Sequence, residues 1–170
     1  DLLFYEDPVA PESLDALARV RDAVDIPLAA GERVSTIWGI RPYIERDLVD
    51  VIQPDTGRAG GITQMRKMAA MAEGHFITMA PHSGSLGPVA EFAALHVMAT
   101  IPNALMLERV EFDWSGRYEV VQPVLQVVDG HLPVPTTPGL GVDIVEEEVA
   151  RYPSQRNVAD MPTEDGWAYE

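Results

Sequence analysis

The sequence holds no cysteine. That excludes disulfides, thiolate nucleophiles and Cys-ligated zinc together. Positive charge is scarce: 12 Lys and Arg face 27 Asp and Glu, for a net charge of −15. Nucleic acid and anionic membrane surfaces both call for a basic patch, so neither is an expected partner. No apolar run approaches the roughly 18 residues that a membrane span needs. The first residues carry no signal-peptide pattern, and the expected location is a reducing, cytoplasmic one. Gly60-Gly61 precedes a helical segment, but no Gly-rich phosphate fingerprint is present. Also lacking are an initiating Met and a polar lead-in: DLLFYEDPVA starts directly on a strand pattern. The expectation is a chain that begins part-way through a larger protein.

What is present is one domain's worth of chain. Its 170 residues can bury roughly 70% of their unfolded surface. Short apolar runs bounded by turn residues read as strands at Leu2–Tyr5, Ile26–Ala30, Val49–Gln53, Phe76–Ala80 and Ala104–Leu107. Helical spacing fills the intervals at Pro11–Val24, Thr36–Arg46, Ile62–Ala72 and Pro88–Thr100. After Glu108 the pattern changes. Tyr118–Val121 and Val124–Val128 alternate like antiparallel strands, and Asp129-Gly130 is a hairpin-turn pair. Leu132–Gly141 reads as a loop, Asp143–Arg151 as a last amphipathic helix, and 152–170 as an irregular polar tail.

The repeat has a period. Glu6, Glu32, Asp55, His82 and Glu108 follow one another at intervals of 23 to 27 residues, each just past the end of a strand. A βα unit of about 25 residues with short strands fits a parallel (β/α) barrel, whose working groups stand at the carboxyl ends of its strands. The expected fold is therefore α/β, a partial (β/α) barrel spanning residues 1–151 with a small C-terminal β-hairpin and helix. Five ionisable groups in one phase point to a site.

Each member has a chemical reading and a plainer one. Glu6 and Glu32, on neighbouring strands, offer hard oxygen ligands that suit Mg²⁺. The plainer alternative is a pair of carboxylates bridged to Arg33 and Arg58. Asp55 accepting a proton from one nitrogen of His82 would fix the tautomer and leave the other nitrogen basic. The alternative is a purely structural His–Asp bond. Glu108 can donate to a substrate oxygen when protonated, or can pair with Arg109. Taken together, the groups specify abstraction of the proton alpha to a carboxylate. The resulting enediolate would be stabilised by Mg²⁺ and Glu108.

Other residues read as packing. His96 and Met65, Met68 and Met71 lie on helices, Trp38 at a core or rim position, His75 in an exposed turn, and His131 after the hairpin without a partner.

The strings FYEDP, AAGER, IQPDTGRAGG, APHSGSLGP and MLERV together resemble the catalytic barrel of the enolase superfamily, in its mandelate racemase subgroup. The likeness is strongest to galactonate dehydratase and related acid-sugar dehydratases and runs from residue 2 to about residue 151. Enzymes of that superfamily work with a Lys or His base and Mg²⁺. The resemblance implies strands four to eight of the barrel, with Glu6 and Glu32 as the second and third metal ligands. It also implies a His82–Asp55 base dyad and Glu108 as the enolate-binding acid. Asp7 stands where a second Glu is usual, at a position that binds no metal.

The resemblance further implies a lyase that removes water from a small acid sugar, in an intact protein that is a homo-oligomer. A first metal ligand, a second acid or base and a capping domain would lie upstream. Two alternatives stay open: a racemase or epimerase of a 2-hydroxy acid, and a non-catalytic fragment whose open strand edges invite association.

Overall fold

The repeat read from the sequence is a run of four parallel strands, each followed by a helix. The structure, a computed structural model, describes residues 2–83, 87–110 and 115–153. In order come β1 (Tyr5–Glu6), α1 (Leu14–Arg21), β2 (Leu28–Ala30), α2 (Thr36–Glu45), β3 (Val51–Ile52), α3 (Ile62–Glu73), β4 (Thr78–Met79) and α4 (Pro88–Met98). The sheet order is β1-β2-β3-β4, all parallel. With this order, consecutive strand ends lie side by side along one rim.

Local chemistry explains the helix bounds. The Ser13 side chain accepts from the Ala16 N–H and starts α1, which carries Asp15 in its first turn and Arg19 and Arg21 in its last. That charge order complements the helix dipole. Helix α2 begins where the Gln64 side chain accepts from the Ile37 N–H at 3.2 Å, and it tolerates Pro42. Helix α3 starts at Gly61, whose φ of 83° suits glycine. Helix α4 has Pro88 in its first turn, where a missing N–H costs nothing.

Strand alternation divides the core. Leu28, Ala30, Ile52 and Met79 face the helices in the main cluster with Ile40, Ile44, Met65, Met68 and Val97. Ala29, Val51 and Ala80 face the other way, a thin cluster joined by Phe4. At the amino ends of the strands, Asp50 accepts from the Leu28 N–H at 2.9 Å and from the Arg21 guanidinium, tying α1 to β2 and β3.

Several expectations need correction. The strands are shorter than their apolar runs. Leu2 and Leu3 are exposed rather than buried, and lie ahead of the two-residue strand β1. Phe76, expected to open a buried strand, is 98% exposed at φ 60° in the turn that precedes β4. The expected fifth strand is a single parallel bridge, Met79 to Ala104. Backbone bonds continue along it, from Met79 N–H to Asn103 O, Leu105 N–H to Met79 O, and Glu108 N–H to Pro81 O.

The C-terminal part differs most. The segments 118–121 and 124–128 do not pair as a hairpin. Instead β5 (Val121–Gln122) pairs antiparallel with β6 (Asp143–Ile144). Pro123, with no N–H to give a ladder, follows β5 directly. Asp129-Gly130 does turn the chain, with both φ values positive, but it closes only the bridge Val128 to His131. The expected helix over 143–151 shrinks to α5 (Glu146–Val149), because its first residues are taken by β6. Residues 84–86 of the expected β4–α4 connection and 154–170 of the expected tail lie outside the described residues. No helix among the described residues is long and apolar enough to cross a membrane.

Candidate active site

The rim formed by the strand ends is where the five ionisable residues of the repeat stand. Asp55 lies three residues past β3 and is fully buried. Its Oδ1 accepts the Gly57 and Arg58 N–H groups at 3.0 and 3.2 Å, so the loop Asp55–Arg58 closes around its own carboxylate. Its Oδ2 is 2.8 Å from Nδ1 of His82, which follows β4. The His82 side chain is 11% exposed. A buried carboxylate with three hydrogen bonds is fixed in place, and it orients the imidazole.

The second ring nitrogen of His82 faces Glu32. Nε2 lies 3.3 Å from Glu32 Oε2. Glu32 Oε1 lies 3.3 Å from Arg33 Nε and 3.5 Å from Arg58 Nη1. The arginine pairing read as an alternative from the sequence is therefore present, at long distances, alongside a contact to the histidine that the sequence did not reveal.

Glu6 is exposed and accepts from the Gln53 Nε2 at 3.0 Å. Asp7, beside it, has its carboxyl pushed above the ordinary range, first by burial and then by the charges of Glu32 and Glu6; Arg33 and His82 oppose the shift.

Glu108 closes the row. Its Oε2 accepts the Ser83 N–H at 3.0 Å, next to His82. Arg109, the alternative partner for Glu108, instead pairs with Glu91 of α4 at 2.9 Å and donates to Leu125 O. Its guanidinium also lies 5.2 Å from the Tyr118 ring centroid. Arg117 joins the same cluster, its Nη2 3.8 Å from Glu91 Oε2. These ion pairs fasten the segment after Glu108 to α4.

The donor chemistry fits part of a hard-cation site. Two carboxylates at adjacent strand ends, Glu6 on β1 and Glu32 just past β2, suit Mg²⁺. Among the described residues no group of three or more His, Asp or Glu side chains is gathered to hold a metal. Glu6 and Glu32 would therefore supply two of its ligands and no more.

The remaining histidines take no part. His75 is exposed, His96 Nε2 lies 2.9 Å from Leu140 O, and His131 Nδ1 lies 2.8 Å from Asp129 O within its own turn. Met65 and Met68 are buried in the core and Met71 packs against it, whereas Trp38 is exposed. The residue that sequence reasoning missed is Gln53. A signal for it exists: Gln53 is a polar residue directly after an apolar strand run and two before Asp55, at the same strand-end rim.

Comparison with known proteins adds a family. Residues 1–149 match the model of the enolase C-terminal domain-like family. The chain is 35% identical over 144 residues to D-xylonate dehydratase of Haloferax volcanii, covering 85% of this chain and 35% of that protein. It is 37% identical over 165 residues to D-galactonate dehydratase of Ralstonia pickettii, covering 91% of this chain and 43% of that protein. The crystal structure of a mandelate racemase/muconate lactonizing enzyme from Sulfitobacter superposes with a TM-score of 0.84 at 37% identity, covering 91% of this chain and 38% of that one. The chain thus spans less than half the length of the curated relatives it matches.

Proposed function

This chain belongs to the enolase C-terminal domain-like family, and from that premise we propose that it carries the proton-abstracting part of a Mg²⁺-dependent acid-sugar dehydratase. In this reading the strands are the fourth to eighth staves of a (β/α) barrel. The observation that carries the proposal is the His82 Nδ1 to Asp55 Oδ2 contact of 2.8 Å at the strand-end rim.

The chemistry follows from proton positions. In the proposed step Asp55 accepts from Nδ1–H, and the lone pair of Nε2 is the base. The proton alpha to the substrate carboxylate moves to Nε2, and Asp55 stabilises the imidazolium that forms. The carbon–oxygen bond to the beta hydroxyl then breaks, and the hydroxyl leaves as water once an acid protonates it. The product is an enol that ketonises to a 2-keto-3-deoxy acid.

Glu108, fixed through Oε2 by the Ser83 N–H, in its acid form donates to the substrate carboxylate oxygen that gains charge. A preorganised donor of this kind is worth about 3–4 kcal/mol. When bound, Mg²⁺ would act as a Lewis acid on the substrate carboxylate, with Glu6 and Glu32 among its ligands. Dehydration is favoured over racemisation because the curated relatives named above are dehydratases of D-xylonate and D-galactonate. A sugar acid is accordingly the proposed substrate class.

The test is direct. The intact protein with Mg²⁺ and a panel of sugar acids, galactonate and xylonate included, is expected to yield a 2-keto-3-deoxy acid from at least one. No product from any of them would count against the proposal. Glu32→Gln is expected to weaken Mg²⁺ binding at least about tenfold by calorimetric titration. Unchanged affinity would remove Glu32 from the metal.

A further inference from the structure

We propose that Gln53 is a positioning residue for the Glu6 carboxylate, holding it in the orientation that receives the divalent cation; the inference rests on the metal site proposed above.

The geometry begins with strand order. Gln53 follows β3, Glu6 ends β1, and β2 lies between them. The Gln53 side chain therefore crosses the end of β2 to put its Nε2 3.0 Å from Glu6 Oε2. The orientation of the amide is forced, because a carboxylate oxygen only accepts and must face the NH₂ end. Glu6 is exposed and, apart from this bond, would sample many rotamers. Gln53 is 3% exposed and has no such freedom. Its backbone N–H is bonded to Ala30 O at 2.9 Å. Gly31 passes so close that a Cβ there would stand 3.4 Å from the Gln53 backbone nitrogen. A rigid donor thus fixes a mobile acceptor.

The chemical type of the donor also matters. Glu6 ends β1 and Glu32 lies just past the adjacent strand β2, so two carboxylates stand at one corner of the rim. An arginine or lysine in place of Gln53 would hold Glu6 but neutralise the charge that attracts a cation. A neutral amide orients one oxygen and leaves the charge intact. The other end of the amide, Oε1, is buried and has no hydrogen-bond partner among the described residues. Buried carbonyls without partners are costly and rare. An acceptor of this kind beside a cation site is suited to a hydrogen bond from a water of the cation's hydration shell. Groups that orient metal ligands in this way typically contribute about 10- to 100-fold in metal affinity.

The test uses Mg²⁺ alone, titrated into the intact protein by calorimetry, with the Mg²⁺-induced rise in melting temperature as a second readout. Gln53→Met keeps the volume and removes both hydrogen-bonding ends; Gln53→Asn keeps the amide but is one methylene too short to reach Glu6. Both are expected to lose about 10- to 100-fold in Mg²⁺ affinity, and Glu6→Gln at least as much. If Glu6→Gln lowers affinity while a folded Gln53→Met and Gln53→Asn bind within threefold of wild type, Gln53 is structural and the inference is overturned. If Glu6→Gln and Glu32→Gln both bind like wild type, the metal reading itself fails. Unfolding of both Gln53 variants would show an amide needed for the fold, and would also count against the proposal.

Discussion

Replacing His82 by asparagine is expected to abolish exchange of a sugar acid's alpha proton with deuterium, a loss of about 10²- to 10⁴-fold for a missing general base. Asparagine can still donate a hydrogen bond towards Asp55, so the loop that Asp55 organises through the Gly57 and Arg58 N–H groups remains supported. What disappears is the second ring nitrogen, the one facing Glu32. Proton NMR of the substrate in D₂O reads the step itself, upstream of water loss. Exchange that persists at the wild-type rate would exclude His82 as the base. An unchanged Mg²⁺ affinity in the same variant would show that the loss is chemical and not a collapse of the rim.

The second large effect concerns stability. Glu91 is 2% exposed on α4 and holds two arginines, one of which, Arg117, is 1% exposed. Glu91→Gln keeps the shape and removes a negative charge that both guanidinium groups approach. Breaking a buried pair from one side costs about 3–5 kcal/mol. For a domain of this size that corresponds to a fall of about 10 °C in melting temperature. Arg109 also donates to Leu125 O, so loss of the cluster is expected to loosen Arg109 from Leu125. A melting temperature within a degree or two of wild type would show that the apolar contacts of Phe92 and Leu125 suffice to hold this part together.

The two effects separate what was legible in the sequence from what was not. The repeat of ionisable strand ends was legible because a parallel βα unit has a fixed length. A spacing of 23 to 27 residues therefore translates directly into a shared rim. Asp55 and His82 meet for that reason. The contact of His82 with Glu32 and the bond from Gln53 to Glu6 were not legible, since both depend on how far side chains reach across an intervening strand.

Strand length was overread wherever an apolar run extended past its pairing partner. Leu2 and Leu3 continue the pattern of β1 but lie ahead of its paired residues and are exposed. Phe76 marks the limit of local pattern: apolarity places it in the core, yet the turn after α3 needs a positive φ there and turns the ring outward.

Beyond Glu108, pairing is non-local. Asp129-Gly130 is a good local turn, but Val121 and Gln122 pair with Ile144 and Asp143, far along the chain, a choice set by packing and not by the turn. The buried Glu91–Arg109–Arg117 cluster was invisible for the same reason, because its members come from α4 and the loops that cover it.

The most direct test of the central claim is the electron density of the intact protein crystallised with Mg²⁺. The account requires one ion at the strand-end rim, with an oxygen of Glu6 and an oxygen of Glu32 each about 2.0–2.1 Å from it. It also requires His82 still hydrogen-bonded to Asp55. An ion bound elsewhere, or either carboxylate turned away from it, would contradict the account.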